Sequence, residues 1–430
     1  MSNLIVKGGN TLNGEITPAG NKNSALPILC ASLLTNEEVI IHNLPDLTDV
    51  CKLVELMESI GSKIEWNKET KTIKIDNSKV RKSFGKEAFP LGMRGSILLF
   101  GPLVTRMREL EILPNIGGCA LGIRELDPHL QVLQELGVKI KTNGTIHLKA
   151  PSKLKAGTLW QDYMSVTTTE NFVMAASLAD GKSVMVNSAS EPHVQDLCNF
   201  LIKMGAKIDG VGTSTLTVTG VDKLHGAEFT ISSDHHEITT LLALGAMTGG
   251  NIRVNKSEPQ FFPLINNTFK KFGVDITYDK DTAVVKDTKS LKIVEPYTKN
   301  MLPKVEAAPW PYFPTDLMPL MIALAVKSKG NIMFWNKLFE GGLFWTNELT
   351  KFGAQIFMSD PHRIIVFGGK KLHPAEVDAP NIIRATVALM MVALTIKGES
   401  KINNADSIKR AHPYFIENLQ KLGADIRWEG

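Results

Sequence analysis

One octapeptide pattern recurs six times along the 430-residue chain: MESIGSKI (57–64), LQELGVKI (133–140), LIKMGAKI (201–208), FKKFGVDI (269–276), LTKFGAQI (349–356) and LQKLGADI (419–426). Each copy reads apolar, two variable residues, apolar, Gly, a small residue, one variable residue, Ile. The apolar pair three apart marks one face of a helix, and the glycines (Gly61, Gly137, Gly205, Gly273, Gly353 and Gly423) predict a left-handed stop just past its end. The Ile then opens a strand. Copies lie about 70 residues apart, so the chain reads as six units from end to end.

Upstream of each copy lies a second apolar segment, such as FVMAASLA (172–179) or ITTLLALGAM (238–247), followed by an extended run such as SVMVNSA or NIRVNKS. Segments apolar nearly all round predict helices buried on every side. Each unit is therefore expected to run helix, strand, helix, strand, with one helix buried and one half exposed. Six units could form one solenoid or two threefold bundles, and periodicity fits both. The longest apolar runs, LMPLMIALAV from Leu317 and ATVALMMVALTI from Ala385, have 10 and 12 residues. That is short of the roughly 20 that span a bilayer, so no membrane partner is expected.

The start, MSNLIVKGGN, turns polar before an export signal could build up. Four cysteines (Cys30, Cys51, Cys119, Cys198) lack CxxC spacing, which points to a reducing cytoplasm and away from structural zinc. A net charge of +4 gives no reason to expect nucleic acid as a partner. No feature of the sequence points to a particular oligomeric state.

Several residues could carry chemistry. Lys22 and Asn23, in GNKNSALPIL, precede an apolar helix, where an ammonium opposes the macrodipole. Either it serves an anion site built with backbone N–H groups, or it is a solvated turn lysine. GGCALGIR (117–124) sets Cys119 among glycines, which suits a thiol that moves onto a bound substrate; a buried inert cysteine is the plainer alternative. Arg94, Arg124, Arg384 and Arg410 recur at comparable places, and Arg94 and Arg384 stand just before apolar helices, where a guanidinium calls for an anionic partner. Asp316, in YFPTDLMPL, fits both a helix first turn and a general base toward a hydroxyl. Asp234, His235, His236 and Glu237 form one acidic and histidine cluster, but adjacent residues converge poorly on one ion, so no metal is expected.

Together GNKN (20–23), MRGSILLFGPLV (93–104), GGCALGIR with DPH (127–129), SVTTTEN (165–171), EP (191–192), FPTD (313–316) and IIRAT (382–386) give a specific likeness. On these motifs the chain resembles the enolpyruvyl transferases, in particular those that act on UDP-N-acetylglucosamine at the start of peptidoglycan and cell-wall synthesis. The resemblance implies an α/β fold of two inside-out domains, each of three repeated helix-strand units with buried helices and solvent-facing sheets. It would place residues 22–229 in the first domain and residues 1–21 plus 230–430 in the second. It also implies transfer of the enolpyruvyl group of phosphoenolpyruvate to the 3′-hydroxyl of UDP-N-acetylglucosamine through a tetrahedral intermediate, with phosphate released and no cofactor.

Site residues follow from the same resemblance. Lys22, Arg124 and Arg410 would hold the phosphate and carboxylate of phosphoenolpyruvate, Cys119 would protonate its methylene carbon, and Asp316 would accept the hydroxyl proton. Asn23, Arg94, Arg124, Glu125, Leu126, Asp127, Pro128, Tyr163, Met164, Ser165, Val166, Asp316, Leu338 and Arg384 would line the substrates. The chain departs from the family pattern at Glu340-Gly341-Gly342, where Glu-Asn-Arg is usual, at Thr167, where Gly is common, and at His235 and His236, where Arg and an aliphatic residue are usual. Those departures leave room for another nucleotide sugar or for a relative that binds without catalysis. A shikimate-pathway enolpyruvyl transferase fits less well, because that enzyme lacks the cysteine loop.

Overall fold

The computed structural model describes residues 2–81, 94–113, 125–286, 288, 290–410, 412 and 414–430. At all six repeat glycines the backbone is left-handed, with φ from 72° at Gly273 to 111° at Gly61. Past each glycine the next N–H returns five residues to close the helix end. Examples are Ser62 to the Met57 carbonyl at 2.9 Å, Ala206 to Leu201 at 2.9 Å and Ala424 to Leu419 at 3.0 Å. Closures of this kind satisfy carbonyls that a helix end otherwise leaves without partners. The residue donating that N–H is buried in every copy, which accounts for the small side chain in the pattern.

Six sheets correspond to the six repeats. In the first repeat a buried helix, Lys22–Ser32, leads to strand Val39–His42, then to helix Thr48–Ser59 and a hairpin of Lys63–Asn67 with Thr72–Asp76. Val39 lies opposite Ile75, and Lys63 opposite Asp76. The expected second strand is thus a pair. Its return arm, TIKID, alternates apolar and polar residues, the mark of a strand with one buried face. In five of the sheets a short parallel strand joins from another repeat. Glu228–Thr230, at the end of the third repeat, pairs with Val39–His42 of the first, so the first three repeats close on themselves rather than extend as a solenoid.

Among the described residues the chain forms two compact units, 20–232 and 2–19 with 233–430. Each has its own apolar core. In unit 20–232 the central helices include Val166–Ala176, buried from Thr168 onward. In the other unit they are His235–Thr248, Met318–Lys327 and Ile383–Leu394, each buried along nearly its whole length. Outer helices such as Thr48–Ser59 bury one face only, and strands such as Gln355–Asp360 alternate exposed with half-buried residues. Helices inside and sheets outside is the α/β arrangement that the sequence implied. Strand Asn3–Gly8 lies in the last sheet between Gly398–Asn403 and Asp425–Glu429, antiparallel to both. Among the described residues no helix is long and apolar enough to cross a membrane.

Candidate active site

In unit 20–232, Asn21 caps the helix Lys22–Ser32, its side chain accepting the Asn23 N–H at 2.9 Å. Lys22 follows the cap and is not a solvated turn lysine: its ammonium lies 2.5 Å from Asp49 Oδ2, with only 14% and 8% of the two side chains exposed. Asp49 sits in the first turn of Thr48–Ser59, where its charge also favours the helix dipole. The anion that Lys22 called for is therefore, in the first instance, a carboxylate of its own unit. Sequence reading missed Asp49, although an Asp in the first turn of an amphipathic segment is a recognisable helix start.

Arg94 opens a 3-10 turn, Arg94–Leu99, that runs into helix Phe100–Met107. Its guanidinium donates to the Glu125 carbonyl at 2.9 Å, joining the MRGS segment to the segment before DPH. Asp127 and Pro128 begin the helix Asp127–Glu135, and His129 behind them is buried. Thr167 Oγ1 and His129 Nε2 are 3.2 Å apart, and Asn171 Nδ2 and His129 Nδ1 are 3.3 Å apart. Asn171 also accepts the Gly101 N–H at 2.7 Å through Oδ1. Asn171 thus joins the MRGSILLFGPLV and DPH segments to its own, and Thr167 of that same motif supplies a hydroxyl to His129. Burial, and secondarily the Arg94 charge, push the imidazole down to about 3, so it is a neutral hydrogen-bonding strut. Tyr163 is half exposed, and Met164, Ser165 and Val166 lead into helix Val166–Ala176. Burial first, then the nearby Glu125, raise the Tyr163 phenol, which keeps it a hydrogen-bond donor.

In the other unit the starts of three buried helices come together. Asp234 caps His235–Thr248, accepting the His236 N–H at 2.8 Å and facing His236 Nδ1 at 2.9 Å through the same oxygen. Arg384, second residue of Ile383–Leu394, reaches Asp234 Oδ2 at 3.7 Å and bonds to His412. Asp316 lies in the 3-10 turn Thr315–Leu317 ahead of Met318–Lys327, and its Oδ2 is 3.8 Å from His236 Nε2. Burial alone would raise the Asp234 carboxyl, but the charge and hydrogen bond of His236, with Arg384 and His412, hold it well below the usual carboxylate range. Arg384, like Lys22, has its first anionic partner inside its own unit.

Asp234, His235 and His236 bring ligand atoms within 4.8 Å of one another, closer than adjacency in sequence led us to expect. Arg384 stands beside one Asp234 oxygen and His236 is already on the other, so both carboxylate oxygens face protein partners. Arg410 ends the 3-10 turn Ala405–Arg410 and is half-buried. Leu338 is half-buried, its N–H donating to Asn336 Oδ1 at 3.0 Å. A Cβ at Gly342 would sit 2.3 Å from the Asn336 amide nitrogen, so a side chain at that position would require the Asn336 side chain to shift. Cys119 and Arg124 lie outside the described residues. His129 and Asn171 fall in the DPH and SVTTTEN motifs but were given no role of their own there, and His412 was not singled out from sequence; a lone polar residue beside an apolar helix gives no local sign of what it meets.

The sequence profile of EPSP synthase (3-phosphoshikimate 1-carboxyvinyltransferase) matches residues 6–419. The chain belongs to the EPSP synthase family. Within that family it is 41% identical over 429 residues to the UDP-N-acetylglucosamine 1-carboxyvinyltransferase of Borrelia garinii subsp. bavariensis, covering 99% of each chain. It is 40% identical to the protein of the same name from Bradyrhizobium diazoefficiens, over 98% of this chain and 97% of that one. Among solved structures, the enolpyruvyl transferase NikO from Streptomyces tendae superposes with a TM-score of 0.86 at 22% identity, covering 99% of both chains, which shows the family fold.

Proposed function

We infer that this protein transfers the enolpyruvyl group of phosphoenolpyruvate to the 3′-hydroxyl of UDP-N-acetylglucosamine, with release of phosphate, in the first committed step of peptidoglycan synthesis. Identity of 41% to a UDP-N-acetylglucosamine 1-carboxyvinyltransferase along the whole chain carries this reading. The reaction is assigned to the cytoplasm, in keeping with the unpaired Cys30, Cys51 and Cys198.

The roles proposed for individual residues rest on the motifs and on the chemistry of their surroundings. Lys22, Arg124 and Arg410 supply positive charge to the phosphate and carboxylate of phosphoenolpyruvate. Cys119 gives its thiol proton to the methylene carbon, leaving an electrophilic centre at C2. The sugar hydroxyl oxygen bonds to that carbon as Asp316 takes its proton; the C–O bond to phosphate then breaks as the methyl carbon gives up a proton, which restores the C=C bond of the enolpyruvyl group. Half-exposure suits Asp316 to this role, because a base must reach a ligand. Asn23, Arg94, the segments 124–128 and 163–166, Leu338 and Arg384 are assigned to substrate binding.

Phosphate release from phosphoenolpyruvate is expected to require UDP-N-acetylglucosamine, as read by a coupled phosphate assay. Release with shikimate 3-phosphate and none with the nucleotide sugar would sink the reading. Alkylation by the epoxide fosfomycin is expected at Cys119 alone, and faster with UDP-N-acetylglucosamine present. Burial pushes the other thiols away from the reactive thiolate: Cys30 well up, Cys198 to about 12 and Cys51, with Asp46 adding to the effect, to about 11. Peptide mass mapping that found the adduct on any of those three would contradict this assignment.

A further inference from the structure

Asp234, His236 and Asp316 form a line from the interior of their unit to its surface. The Asp234 and His236 side chains are 2% and 3% exposed, whereas that of Asp316 is 49% exposed. Asp234 Oδ1 binds both the backbone N–H of His236, at 2.8 Å, and its ring Nδ1, at 2.9 Å, so the ring is clamped to its own main chain. His235 stacks against it with ring centroids 4.0 Å apart, which fixes the tilt. On the far side of Asp234, Oδ2 faces Arg384 at 3.7 Å and His412 Nδ1 at 3.8 Å, and His412 also faces Glu237 at 3.9 Å.

The partner of one ring nitrogen sets the state of the other. An ionised Asp234 can only accept, so Nδ1 carries a proton, and it is in the neutral form of the ring that Nε2 offers its lone pair. Nε2 points at Asp316 Oδ2 from 3.8 Å. That is about 1 Å beyond a hydrogen bond, a gap of the size that sites without substrate often close when they bind it.

We propose that His236, clamped by Asp234, is a positioning residue for the transfer reaction: a buried proton acceptor set behind Asp316. The inference rests on the reading of Asp316 as the base. In the first step the O–H bond of the acceptor sugar breaks and an O–H bond forms on Asp316. That proton then leaves Asp316 for Nε2, restoring the carboxylate and leaving an imidazolium between Asp316 and Asp234. No electrons change hands, and no further reactant is needed. His236 touches the base rather than the substrates, and its contribution is to draw the proton on as the new C–O bond forms. The charged and titratable groups around it are Asp234, His235 and Glu237 on its own helix, Asp316 ahead of the neighbouring helix, Arg384 on the third, and His412.

The test begins with Asp316→Asn in the full-length enzyme. If that variant turns over at the wild-type rate, the reading of the base fails, and this inference with it. Given an impaired Asp316→Asn, His236→Gln is expected to lower kcat about 100-fold while the KM of each substrate stays within about threefold. The double variant His236→Gln/Asp316→Asn is expected to be no slower than Asp316→Asn alone, because the imidazole acts only through the carboxylate. Losses that multiply in the double variant, or a raised KM with kcat intact, would overturn the relay while leaving the base in place. So would stoichiometric metal found by elemental analysis together with inactivation by a chelator. Nitrogen NMR of histidine-labelled wild-type protein reads the tautomer without any substitution. A proton on Nδ1 of His236 with Nε2 bare is expected; the opposite tautomer would overturn the proposal even if His236→Gln failed to fold.

Discussion

Asp316→Ala is expected to slow turnover by about 100- to 10,000-fold while changing the affinity for UDP-N-acetylglucosamine, read by calorimetry, by less than about tenfold. Stability should hardly move. The Asp316 side chain is half-exposed, and its charge in the first turn contributes only about 0.5 kcal/mol. A loss of that size in rate would therefore report chemistry rather than unfolding. A base needs little from ground-state binding, because its proton moves only as the transition state is approached. Strong loss of nucleotide binding with a near-normal rate would contradict the role and make Asp316 a ligand for the sugar instead.

Lys22 offers a second large effect, one in which two functions can be separated. Lys22→Met leaves the nearly buried Asp49 without the ammonium 2.5 Å away. Breaking a pair of this kind by removing one partner costs about 3 kcal/mol, so urea unfolding should shift clearly to lower concentration. Phosphate release should fall to background, because the charge proposed to hold phosphoenolpyruvate is gone. Adding Asp49→Asn removes the carboxylate charge that Lys22 faced. The double variant is expected to regain most of the lost stability and none of the activity. Recovery of both would show that Lys22 serves only to neutralise Asp49; recovery of neither would mean that the pair is not the source of the stability loss.

What could be read from sequence was local chemistry. The six glycine stops are visible because a left-handed turn after an amphipathic helix restricts the residue at that one position, and Gly61 to Gly423 all adopt it. Buried helices such as Ile383–Leu394 are visible because they lack a polar face. The return arms of the hairpins are harder to see: strands of four or five residues, such as Thr72–Asp76, carry too few alternations to stand out. Candidate site residues could be named from sequence, but not their pairings. Lys22 and Arg384 were marked as needing anions, yet nothing near them in sequence named Asp49 or Asp234. His236 and Asp316 meet only because two buried helices start side by side, a contact that no local pattern announces.

The position of strand Asn3–Gly8 has a consequence for how the protein is made. Its neighbours in the sheet are Gly398–Asn403 and Asp425–Glu429, so a strand made early must wait for strands made much later before it can pair. Residues 20–232 meet no such delay, since the strand that closes their bundle, Glu228–Thr230, is made at its end. At roughly 5 to 20 residues per second of synthesis, that middle stretch has ten seconds or more in which to fold while the opening strand is still unpaired. The nascent chain therefore carries an apolar edge, Leu4 to Val6, that stays a liability for aggregation until those two partner strands have been made.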